Sequence, residues 1–166
     1  MRRGNAGEMG RVELLSASET ETRSIGRRVA ETLRPGARIG LSGALGAGKT
    51  CLVRGLAEGL AVPSGLVRSP SFPILLPYEG GRLPLYHVDL FRLPAGDVDA
   101  LALREYLYGA GVCAIEWFER LDEPLRDFLE ISIEFAGGDR RLLVATAHGV
   151  GYDAALQVLQ ELAGQA

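Results

Sequence analysis

The 166-residue chain is 47% hydrophobic and 23% charged, the balance of a globular protein with one continuous core and no room for a second. Its net charge is −3 and no arginine run exceeds a pair, which excludes long-range attraction to nucleic acid as its organising feature, so any RNA involved would be held by another protein. No apolar run approaches bilayer length, and the basic start lacks the apolar segment of a signal peptide; Cys51 and Cys113 lack C-x-x-C spacing. The expectation is a reduced, cytoplasmic protein without membrane contact.

Residues 1–10 read as a flexible tail and residues 11–166 as a single domain. Val12 to Leu15 is a short edge strand. Ser18 with Glu21 three positions later forms a capping box for a helix running to about Leu33, where Pro35 and Gly36 stop it. Ala37 to Ser42 is a short buried strand, and Thr50 to Leu60 places Leu52, Val53, Leu56 and Leu60 at helical spacing. Pro63 to Pro73 is a loop rich in Ser, Pro and Gly. Ile74 to Tyr78 and Leu83 to Leu90 read as strands joined by Glu79-Gly80-Gly81-Arg82, a hairpin that makes the sheet mixed. Asp97 or Asp99 caps a helix through Tyr108, and Gly111 to Glu116 is a buried strand ending in an acid. Two further strands, Leu129 to Phe135 and Leu142 to Ala147, flank Gly137-Gly138. A last helix carries Tyr152, Leu156, Leu159 and Leu162 on one face. The alternation predicts a three-layer α/β domain with a mixed central sheet.

Between the buried strand and its helix lies Gly43-Ala44-Leu45-Gly46-Ala47-Gly48-Lys49-Thr50, which fits G-x-x-x-x-G-K-[ST] at every fixed position. Of the 18 basic side chains, Lys49 is the one lysine and the other 17 are arginines. A compact ammonium on a flexible stem suits the gap between phosphate oxygens, where a planar guanidinium does not. Gly43, Gly46 and Gly48 allow positive φ, so the loop can turn its N–H groups inward around phosphates at the positive end of a helix. Lys49 would neutralise the outer phosphates, and the Thr50 hydroxyl would be a magnesium ligand. The Pro63 to Pro73 loop, beside such a nucleotide, is a candidate switch.

Magnesium in such sites gains an acid from the end of a second apolar strand. Asp89, after Leu85-Tyr86-His87-Val88, and Glu116, after Val112-Cys113-Ala114-Ile115, both qualify. His87, two residues before Asp89, shares its sheet face and either orients it or fills the core. Both cysteines read as small core residues. Trp117, the single tryptophan, follows Glu116 directly, where a large ring can anchor a contact. Ras-type guanine recognition is excluded, because N-K-x-D needs a second lysine and Asp89 is followed by Leu90-Phe91-Arg92 rather than x-x-G. Small kinases and small regulatory ATPases remain.

Five blocks stand in order: Thr22-x-x-Ile25-Gly26, Gly43 to Thr50 as G-x-L-G-A-G-K-T, Ser69-Pro70-Ser71-Phe72, Tyr86 to Leu93, and Ile115-Glu116-Trp117. Together they resemble the TsaE (YjeE) family, P-loop ATPases of tRNA threonylcarbamoyladenosine biosynthesis. The resemblance implies an enzyme that hydrolyses ATP with Mg2+ and works with TsaD-like and TsaB-like proteins, meeting tRNA only through that complex. It implies that Leu45, Gly46, Ala47, Gly48, Lys49 and Thr50 bind ATP, that Thr50 and Glu116 bind magnesium, and that Asp89 is needed for hydrolysis. Lys49, Asp89 and Glu116 would form the catalytic set. Glu19 or Thr22 and Arg140 would approach the adenine side, and Ser69, Ser71 and Trp117 would belong to switch or partner-contacting loops. Ser71, Cys51, Phe91 and Phe118 depart from residues more usual in the family, without removing a phosphate or metal ligand. The alternatives are a small-molecule P-loop kinase and a nucleotide-binding module without catalysis.

Overall fold

A computed structural model describes residues 8–63, 65, 67–70, 74–93 and 100–165. Its strands are β1 (Glu8–Ser16), β2 (Arg38–Ser42), β3 (Leu75–Tyr78), β4 (Leu85–Asp89), β5 (Val112–Glu116), β6 (Phe128–Phe135) and β7 (Arg141–His148). The helices are α1 (Glu19–Thr32), α2 (Lys49–Gly59), α3 (Ala100–Leu107) and α4 (Asp153–Ala163). One seven-stranded sheet runs in the order β1-β7-β6-β2-β5-β4-β3. Strands β6, β2, β5 and β4 are mutually parallel, and the pairs β6/β7, β7/β1 and β4/β3 are antiparallel. This is the expected mixed sheet, with the glycine loop at the carboxyl end of its central strand.

Alternation along β5 makes the three layers. Val112 and Ala114 join a core with α1, α2 and α4, whereas Cys113 and Ile115 join a second core with Leu103 and Leu107 of α3. Ser18 caps α1 by accepting from the Glu21 N–H at 3.2 Å, while Glu21 Oε2 accepts from the Ala17 N–H at 2.6 Å, so the box closes one residue earlier than the motif requires. Helices α1 and α2 touch backbone to backbone: a Cβ on Gly55 would lie 2.0 Å from the Arg23 carbonyl oxygen. That close approach brings the start of α1 to the loop.

β1 begins at Glu8, four residues before the strand expected from Val12, because β7 runs far enough to pair with it from Ser16 back to Glu8. Val12 and Leu14 face inward and Arg11 and Glu13 outward, the alternation of a sheet with one packed face. Of the expected tail 1–10, residues 8–10 belong instead to β1, held by pairing with β7; residues 1–7 and the candidate caps Asp97 and Asp99 lie outside the described residues. Among the described residues no helix is long and apolar enough to cross a membrane.

Candidate nucleotide site

Strand β2 points at the loop and α2 leads away from it, so the chain must reverse within six residues. Gly43, Gly46 and Gly48 do this with φ of 140°, 77° and 114°, backbone angles that a side chain would strain. At Gly43 space also forbids one, since a Cβ would sit 2.4 Å from the Ile133 carbonyl oxygen of β6. Gly48 caps α2 without a side-chain hydrogen bond, leaving the first N–H groups of the helix open toward the cleft. That cleft measures about 710 Å3, a size typical of small-molecule sites.

Lys49 is buried at 4% exposure. Its ammonium donates to the carbonyl oxygens of Gly43 at 2.6 Å and Ala44 at 2.9 Å, and lies 4.1 Å from the centre of the Trp117 ring. Burial pulls its pKa below the usual lysine range, opposed by the nearby carboxylates of Glu116, Glu119 and Asp89. Phosphate oxygens would replace two neutral carbonyls as partners of this charge.

Opposite the loop, the pairing of β4 with β5 sets Asp89 directly across from Glu116. Thr50 Oγ1 donates to Glu116 Oε1 at 2.7 Å. Two oxygens bound side by side on one magnesium stand about 2.9 Å apart, so this pair fits one small cation with little movement. Among the described residues no group of three or more His, Cys, Asp or Glu side chains can hold a metal. A cation at Thr50 and Glu116 would therefore depend on phosphate oxygens, as a magnesium nucleotide provides. Asp89 accepts from the Ser69 hydroxyl at 2.9 Å and from the Phe91 N–H at 2.9 Å. Ser69 thus hydrogen-bonds an acid that lines the cleft; Ser71 lies outside the described residues.

His87 does not orient Asp89. Its Nε2 is 2.8 Å from Glu116 Oε1 on the neighbouring strand. Cys51 and Cys113 are buried, and desolvation raises their thiols to about 11 and about 12, which keeps both protonated and unreactive. Trp117 is half-buried and adopts left-handed backbone angles with φ 57°, an uncommon conformation for a bulky residue. Its ring packs against Phe91 at a tilt of 36° with centroids 4.9 Å apart, and the Arg120 guanidinium lies 5.2 Å from its centre.

Glu19 and Thr22 also line the cleft. The buried Thr22 hydroxyl is engaged by Ser18 O at 3.1 Å and Ser16 Oγ at 2.8 Å, so this residue offers the cleft only its methyl group. Arg140 is exposed and outside the lining. Its neighbour Arg141 lines the cleft instead, donating from Nε to the Ala47 carbonyl at 2.9 Å with its guanidinium 4.4 Å from the Phe135 ring centre. Arg140 still belongs to the turn after Gly137 while Arg141 opens β7, and the Arg140-Arg141 pair in the sequence does not mark which of the two reaches the cleft. Phe91, within the Tyr86 to Leu93 block, lines the cleft too, as do Ile74, Arg54 and Asp139, which loops and helix packing bring there without a motif to mark them.

The sequence profile described as "Threonylcarbamoyl adenosine biosynthesis protein TsaE" matches residues 16–142, which span every element of this cleft. The chain belongs to the TsaE family. It is 42% identical over 134 residues to the TsaE of Bacillus subtilis, covering 80% of this chain and 84% of that protein. To the TsaE of Treponema pallidum it is again 42% identical over 134 residues, covering 79% and 98%. The TsaE of Streptomyces coelicolor is 45% identical over 122 residues, covering 70% and 81%. The crystal structure of Bacillus subtilis YdiB superposes with a TM-score of 0.76 at 35% identity, covering 92% of this chain and 95% of that one. The five-block resemblance is thus borne out, and TsaE membership places the chain in a family of tRNA threonylcarbamoyladenosine biosynthesis.

Proposed function

We propose that this chain is the ATP-binding and hydrolysing component of the tRNA threonylcarbamoyladenosine machinery, a cytoplasmic P-loop enzyme working with TsaD-like and TsaB-like partners. In this reading tRNA is held by the complex and not by this chain, which accords with the net charge of −3. The observation that carries the reading is the 2.7 Å pairing of Thr50 with Glu116 at the foot of a loop that also presents Lys49.

The backbone N–H groups from Leu45 to Thr50 bind the phosphates, and Lys49 exchanges the Gly43 and Ala44 carbonyls for phosphate oxygens. Magnesium, held by Thr50 and Glu116 together with the nucleotide, would supply charge neutralisation for phosphoryl transfer. Asp89, fixed by Ser69 and the Phe91 N–H, stands where a carboxylate can orient an attacking water. Glu19, the Thr22 methyl and Arg141 flank the nucleoside end. Trp117 covers Lys49 from the solvent side, so a partner that presses on the Trp117 and Phe91 rings can alter the lysine environment.

The test is turnover of ATP by the purified chain, alone and with its TsaD-like and TsaB-like counterparts. Slow turnover alone that rises in the three-protein mixture supports the proposal, and unchanged turnover in a verified mixture overturns partner dependence. Transfer of labelled terminal phosphate to a metabolite, rather than to water, would establish a kinase instead.

A further inference from the structure

We infer that His87 is a positioning residue for Glu116, holding its carboxylate in the orientation that a nucleotide-bound cation requires. This inference rests on the magnesium-nucleotide reading of the cleft.

His87 lies mid-strand in β4 with no exposed surface. In the β4/β5 ladder it stands opposite Ala114, while Asp89 stands opposite Glu116. His87 therefore reaches Glu116 diagonally along one sheet face, over the small Ala114 side chain, to place Nε2 2.8 Å from Oε1. Glu116 is itself only 3% exposed, so its carboxylate depends on protein donors in place of water. Among the described residues two side chains supply them, Thr50 and His87, both to Oε1.

The histidine tautomer follows from its partner. A carboxylate only accepts, so the proton sits on Nε2. Nδ1 is buried without a hydrogen-bond partner among the described residues, which suits the bare nitrogen of that tautomer better than a second N–H. A residue serving only to fill space would be aliphatic and leave no such orphan. Once nucleotide and cation engage the Thr50 hydroxyl, His87 is the side-chain donor left to keep the Glu116 carboxylate from rotating. Donors behind a metal-binding carboxylate act in this way on affinity without touching the metal.

Two variants of similar polarity separate positioning from packing. His87→Gln carries an amide donor near the position of Nε2, whereas the shorter side chain of His87→Asn cannot span to Glu116. Both are compared with the unaltered chain for Mn2+ binding in the presence of a non-hydrolysable ATP analogue, read by the electron paramagnetic resonance signal of free Mn2+. Analogue affinity without metal and thermal unfolding are measured alongside. We expect His87→Asn to lose about tenfold or more in Mn2+ affinity with metal-free analogue affinity unchanged, and His87→Gln to stay close to the unaltered chain. Equal Mn2+ affinity in all three proteins, or equal weakening in both variants, overturns the positioning role. If the unaltered chain binds the analogue but no Mn2+ with it, the magnesium reading itself fails and takes this inference with it.

Discussion

The parallel strands β2, β5 and β4 and the group β6, β7 and β1, whose pairings with one another are antiparallel, meet where β6 pairs parallel with β2, and they follow different rules. In the antiparallel part, Leu129, Ile131 and Ile133 alternate with less buried residues, as do Leu143, Ala145 and Ala147 on β7. In the parallel part every residue of β5 is buried. Lys49, His87, Asp89 and Glu116, the buried lysine, histidine and carboxylates among the described residues, all lie on or beside that part. Desolvating such groups costs stability that only specific partners recover. One part of the sheet thus carries ordinary apolar packing, while the other also holds buried polar and ionisable groups. Changes to the two parts should therefore separate function from stability.

The largest effect is expected from Lys49→Ala, because no other lysine exists to substitute. Nucleotide affinity measured by isothermal titration should fall about a hundredfold or more. The unfolding temperature should hold, since the ammonium is itself a desolvated charge with a lowered pKa. Retained affinity would break the assignment of the loop.

Asp89→Asn should lower ATP turnover in the partner complex by about a hundredfold and leave the dissociation constant for ATP nearly unchanged. A parallel loss of binding would move Asp89 from hydrolysis to nucleotide holding. On the other part of the sheet, Leu143→Ala deletes a fully buried side chain. It should cost about 3 kcal/mol in urea unfolding with nucleotide affinity intact. Loss of affinity there would show that the two parts are coupled.

The smallest effect concerns pH. The folded thiols titrate near 11 and 12, above the ordinary cysteine value, so between pH 9 and 10 the unfolded chain sheds protons that the folded chain keeps. Stability should therefore be level up to about pH 8 and fall above pH 9, by at most about 1.4 kcal/mol per pH unit for each thiol. Replacing Cys113 by valine should flatten that decline in urea midpoints, and an unchanged slope would refute the contribution of Cys113.

Much of the parallel part could be read from local pattern. The loop glycines, the strand before them and the helix after them are constrained by neighbours in sequence, and so were Ser18 and Glu21. Asp89 and Glu116 were visible as acids at the ends of apolar runs. Their juxtaposition was not, because it depends on β4 and β5 lying side by side in one register, across more than twenty intervening residues. The same register sends His87 to Glu116 rather than to Asp89, two positions away on its own strand. Arg141 rather than Arg140 enters the cleft because Arg141 is the first residue paired in β7, beside Ser16 and Phe135, while Arg140 is still in the turn that precedes it.

By itself the amino-acid order determined the phosphate loop, the single lysine within it, the α/β class and the family blocks, since each depends on residues within a turn or two of one another. Tertiary structure alone decided that Thr50, Glu116 and His87 share one carboxylate oxygen, that Trp117 covers Lys49, and that the Thr22 hydroxyl is already engaged. Those relations need strands and helices distant in sequence to be brought within hydrogen-bonding distance, and local chemistry carries no record of which partner will arrive.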